Sequence, residues 1–76
     1  MKLLSLSVLE EEAGMWVERS ALLNPLQIEY VLPIESWTEE DRPTGAMCGI
    51  VIGEMTFFTS CTQSELFSRI TGDQVQ

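Results

Sequence analysis

The chain has 76 residues, 12 acidic side chains against 4 basic ones, no histidine and a formal net charge of -8. That is room for one small domain over residues 1–76, and the 45% apolar share suffices for a core. The balance excludes nucleic-acid binding through phosphates, because Lys2, Arg19, Arg42 and Arg69 form no basic stripe; the lack of histidine, with the one lysine at the start, argues against catalysis, a cofactor or a metal.

Leu4, Leu6 and Val8 alternate with Ser5 and Ser7, the period of a strand with one buried face, so a strand is predicted over 3–9. The same stretch has the look of a weak secretory signal. Glu10-Glu11-Glu12 follows at once, however, and no small-residue cleavage site closes it, so a first strand and a cytoplasmic location are expected. No apolar run approaches the roughly 20 residues that a membrane-spanning helix needs.

Glu10 to Gly14 reads as a turn, with a single helical turn as the competing reading. Met15–Ser20 then reads as a second strand folding back on the first. Asn24-Pro25 signals one turn of helix, since the Asn side chain can cap free N–H groups while Pro presets the backbone. Residues 28–32 read as a third strand, stopped by Pro33. Residues 35–45 are the longest polar stretch and read as an acidic loop, carrying Trp37 and the adjacent acids Glu39, Glu40 and Asp41.

Residues 46–52 read as a buried central strand. Gly53-Glu54 suits a two-residue turn with positive φ at Gly53. With residues 55–59 returning, Ile52 faces Met55, Ile50 faces Phe57 and Cys48 faces Thr59. Thr62 and Glu65 fit a capping box that opens a helix, with Leu66, Phe67 and Ile70 on its apolar face, Arg69 in its last turn and Gly72 as terminator. Residues 73–76 read as a flexible tail. The expected fold is α+β: a small antiparallel sheet of about five strands with a C-terminal helix packed on one face.

Residues 23–70 carry Leu23-Asn24-Pro25, Ile28, Val31, then Ile50, Ile52, Gly53, Phe57, Ser60, Ser64-Glu65-Leu66 and Ile70. This pattern resembles the small FlbD-like proteins of bacterial flagellar operons and similar uncharacterised bacterial and phage proteins. The resemblance implies a compact sheet with a C-terminal helix and a non-enzymatic, regulatory role, and it transfers no catalytic residue. The long loop at 35–45 departs from the pattern, as does the lack of a charged pair after the glycine turn.

Cys48 and Cys61 are not a CxxC pair and supply too few ligands for zinc; diagonal placement in the hairpin keeps them beyond disulfide reach, so two free thiols are predicted. The acids of the loop lack the alternating ligands and mid-loop glycine of a calcium site, which favours a solvated surface over a specific cation site, with docking of a basic protein between the two. Trp16 lies in a strand and reads as core. Trp37 either folds back over the sheet or anchors a partner, and fold-back is the favoured reading. One short helix covers one face of a sheet. The other face, with Trp16, Val17, Tyr30, Leu32, Met47, Val51 and Phe58, is expected to meet a second copy, by pairing of the two sheets face to face or by joining of two exposed edges, giving a homo-oligomer with Phe58 or Trp16 in the contact.

The functional expectation is a small acidic regulatory protein that binds another protein through Trp16, Trp37, Glu39, Glu40, Asp41 and Phe58, with no nucleic acid and no membrane as partner. The alternative is an acidic inhibitor that imitates nucleic acid and blocks a basic surface of its target, as phage-encoded inhibitors do. An active site completed by another chain ranks last.

Overall fold

In the computed structural model, which describes residues 3–75, five strands form one antiparallel sheet and a single α-helix closes the chain. The strands are β1 (Leu4–Glu12), β2 (Met15–Leu23), β3 (Tyr30–Pro33), β4 (Cys48–Ile52) and β5 (Met55–Thr59), and the helix is α1 (Gln63–Val75). Their spatial order is β2-β1-β5-β4-β3, so the first hairpin docks its leading strand against the last strand of the chain. Among the described residues no helix is long and apolar enough to cross a membrane.

The first hairpin is longer than its sequence suggests. Glu10, Glu11 and Glu12 belong to β1, and the register runs unbroken from Leu4 opposite Leu23 to Glu12 opposite Met15. The turn is only Ala13-Gly14, with φ of 52° and 80°. Positive φ at both central residues matches the right-handed twist of the strands, which is why two residues suffice. The glutamate run survives in a strand because Glu10 and Glu12 share a face with Arg19, whose guanidinium lies 3.5 Å from Glu10 and bonds Glu12.

The second hairpin matches its expected register: Ile52 faces Met55, Ile50 faces Phe57 and Cys48 faces Thr59, around a turn with φ of 61° at Gly53. β4 starts at Cys48 rather than at Ala46, although Met47 N–H still donates to Thr59 C=O at 2.8 Å. β3 begins two residues late. A 3-10 turn at Pro25–Gln27, capped by the Asn24 side chain, holds Ile28 out of the strand. Pro33 lies inside β3, opposite Cys48, where an edge strand tolerates its missing N–H.

Strand alternation sorts the side chains. Leu4, Leu6 and Val8 of β1 point to the face that α1 covers, together with Leu23, Cys48 and Ile50; Leu66 of the helix completes this core. Each fully buried aliphatic side chain contributes about 1.5–3 kcal/mol. Buried Thr59 is satisfied on both sides: its hydroxyl donates to Ser7 C=O at 3.1 Å and accepts from Cys61 N–H at 3.2 Å, tying β5 to β1. Both cysteines are free, and the Cys48 thiol donates to Cys61 C=O at 3.1 Å.

The capping box forms as expected: Glu65 N–H donates to Thr62 Oγ1 at 3.1 Å and Thr62 N–H to Glu65 Oε1 at 2.9 Å. Those bonds hold the Glu65 carboxyl below the usual carboxylate range. Gly72 does not terminate α1, which continues as helix to Val75; Gln76, the end of the expected tail, lies outside the described residues. Arg69 is therefore not in the last turn, and it donates to Ser5 C=O on β1 instead. At the start of the helix Gln63 donates to Val31 C=O on β3 at 2.8 Å, so α1 is tied to the sheet at both β3 and β1. Phe67, expected on the apolar face, is 69% exposed; Leu66 and Ile70 do the packing.

Candidate docking face

The sheet face opposite the helix carries Leu9, Trp16, Tyr30, Leu32, Val51 and Phe58, as the cross-strand pairs Leu9–Phe58, Tyr30–Val51 and Leu32–Gly49 require. At its centre Phe58 is 4% exposed. Two tryptophans bury it. Trp16 approaches edge-on at 5.4 Å between ring centroids and 89° between planes, and Trp37 at 4.9 Å and 74°. Edge-to-face contacts of this kind satisfy the aromatic quadrupoles and add about 0.5–1.5 kcal/mol beyond area burial.

Trp37 is the loop's contribution, and its fold-back agrees with the favoured reading. A 3-10 turn at Ile34–Ser36 ends with Trp37 N–H donating to Ile34 C=O at 3.1 Å. Arg42 clamps the same turn from the other side, donating to Ile34 C=O at 2.9 Å and Trp37 C=O at 3.4 Å. The ring then lies on Gly49 of β4, where a Cβ would sit 2.7 Å from Cζ3. Only glycine leaves room for the indole there.

This face is therefore not bare. Trp37 covers part of it, and Phe58 reaches the surface only through the two rings upon it. Val17 also leaves that set, because it alternates with Trp16 and points to the helix side. What the face exposes is Leu22 and Tyr30 together with two half-buried tryptophans.

The borders of this face are acidic. Glu11 lies directly opposite Trp16, and Glu18 on the same face accepts from Ser7 Oγ at 2.7 Å. Beyond Trp37 a second 3-10 turn, Glu39–Asp41, presents three exposed carboxylates, with Thr38 Oγ1 donating to Asp41 Oδ2 at 2.9 Å. A shallow hollow of about 300 Å³ runs from Ile34 and Glu39 past Arg42 to Ala46. Among the described residues no three His, Cys, Asp or Glu side chains are arranged to hold a metal ion.

The structure thus brings together Trp16, Phe58 and Trp37, and sets Glu39, Glu40 and Asp41 on the loop turn that follows Trp37. Sequence reasoning missed Gly49, Arg42 and Glu18. A glycine inside an apolar, β-branched strand is a signal of close approach, and Gly49 carried it. No family model, no curated protein and no solved structure matches the chain.

Proposed function

We propose that this chain is a small non-enzymatic protein-binding module of regulatory type, and that it docks a basic segment of a partner protein on the face of Trp16, Phe58 and Trp37. The observation that supports this most is the pair of half-exposed tryptophans seated on one buried phenylalanine, with Glu11 and Glu18 on the same face and the exposed Glu39–Asp41 turn following Trp37 in the loop. A rigid aromatic anchor costs little conformational entropy on binding. A partner lysine or arginine gains about 0.5–2 kcal/mol over a tryptophan face, and adjacent carboxylates take its remaining donors. The resemblance of residues 23–70 to FlbD-like proteins favours the same regulatory reading. Free thiols at Cys48 and Cys61 favour a cytoplasmic setting.

A second reading, an acidic inhibitor that occupies a nucleic-acid-binding surface, draws on the state of the arginines. Arg19 is engaged by Glu10 and Glu12, Arg42 by two carbonyls and Arg69 by Ser5 C=O. Among the described residues, the exposed carboxylates Glu11, Glu39, Glu40 and Asp41 form no ion pair with an arginine, and their field extends outward.

A tagged chain is used to capture partners from source-cell lysate, with low-salt and then high-salt washes. The same is done with Trp16→Ala and with the triple change Glu39→Gln, Glu40→Gln, Asp41→Asn. A partner held by the native chain, lost with Trp16→Ala and less salt-sensitive with the triple change is the expected result. Equal capture by all three proteins would overturn the reading. Displacement of that partner's nucleic acid would select the inhibitor over the adaptor.

A further inference from the structure

The two edges of the sheet are unlike. β3 is four residues long and ends on Pro33, the usual defences of an edge against foreign strands. β2, at the other edge, has nine residues and neither lysine nor proline, and its register with β1 contains no bulge. Its two charges are engaged within the chain, Glu18 by Ser7 and Arg19 by Glu10 and Glu12. Met15 and Leu22, toward its two ends, are 68% and 67% exposed.

We propose that β2 pairs antiparallel with β2 of a second copy about a two-fold axis at Arg19, joining the two sheets into one. Register argues for this. Residues paired across such an axis must share a face, so the axis falls on a residue, and only Arg19 as centre engages all nine positions. That register sets Met15 against Leu23, Trp16 against Leu22, Val17 against Ala21 and Glu18 against Ser20, each pair occurring twice. Apolar meets apolar on both faces, and a carboxylate meets a hydroxyl. Centring on Glu18 opposes two unneutralised carboxylates, and centring on Ser20 leaves Met15 and Trp16 without partners. The self-pair at Arg19 is tolerable because each guanidinium already carries carboxylates of its own chain.

This association uses the sheet edge beside the docking face, with Trp16 belonging to both, and has the opposite salt response. Two copies at -8 each repel. Added salt therefore strengthens the dimer, while it weakens the capture of a basic segment.

Sedimentation equilibrium across the micromolar range, at low and high salt, is the first measurement, with a reversible dimer that tightens in salt as the expected result. Leu22→Glu, at an exposed position, weakens it by about tenfold or more, the equivalent of about 1.4 kcal/mol. Directly opposed strand residues have Cα atoms about 4.5–5.5 Å apart, within disulfide range. Arg19→Cys therefore gives a covalent dimer on mild oxidation. Ser20→Cys, which faces Glu18, gives none beyond the background of the native chain. A native protein that stays monomeric at high salt overturns the proposal. So does cross-linking through Ser20→Cys without cross-linking through Arg19→Cys, which would place the interface elsewhere.

Discussion

The two faces of this sheet are closed by different means. On one, a helix lays Leu66 and Ile70 over aliphatic residues from four strands and is tied down at Val31 and Ser5. On the other, one indole from a loop lies on a glycine and leans on Phe58. The helix side spreads its energy over many aliphatic contacts, each replaceable in part by its neighbours. The loop side depends on one fit between Trp37 and Gly49, where an added methyl group has nowhere to go. Coverage by a helix yields stability; coverage by a half-exposed ring yields a surface that still has aromatic area to offer a partner.

The largest effect is expected on the helix side. Leu66→Ala removes a side chain that is 1% exposed and should cost about 3 kcal/mol, read from the shift in a urea midpoint. A loss no greater than that of an exposed leucine would mean that the helix does not close this face.

Next comes the alkaline response of the same side. Burial, then Cys61 and then Glu65, push the Cys48 thiol from 9.0 up to about 11. The native state keeps a proton that the unfolded chain releases, so stability is intact below pH 9 and declines as pH rises toward 11. The decline should reach about 2–3 kcal/mol. Cys48→Ala should lie lower at neutral pH and lose this alkaline decline; an unchanged slope would assign it to other groups.

The smallest effect sharpens the loop side. Gly49→Ala should expel Trp37 at a cost of roughly 1–2 kcal/mol, with a red shift in tryptophan emission. In a Trp37→Ala background the same change should cost almost nothing, and that non-additivity is the direct measure of the contact. Additive costs would break the account of how this face is covered.

Much of the helix side is legible in the sequence. Alternating Leu4, Leu6 and Val8, the Gly53 turn and the Thr62–Glu65 box are local signals, and each acts over a few residues. The glutamate run misleads because its compensation is cross-strand: nothing near Glu10–Glu12 in sequence announces Arg19. Gly72 misleads for a different reason, since a glycine costs a helix only about 1 kcal/mol and does not by itself end one. The candidate face is half legible. Trp16, Trp37 and Phe58 stand out by size and context, but their convergence requires β1 beside β5 and the loop turned over β4, which are long-range facts. Exposed Phe67 shows the limit of periodicity, because position on a helix decides only which way a side chain starts, not what it meets.

The docking of β1 against β5 has a consequence for how the chain assembles. Each hairpin is local and can close quickly, but the bond from Thr59 to Ser7 C=O joins residues far apart in sequence. The first hairpin leaves the ribosome well before β5 has been translated, so for that interval both of its long edges are open, and the inner one closes only when β5 arrives. Like charge on the Glu10–Glu12 run of β1 opposes the approach of the same edge of another nascent copy during that interval.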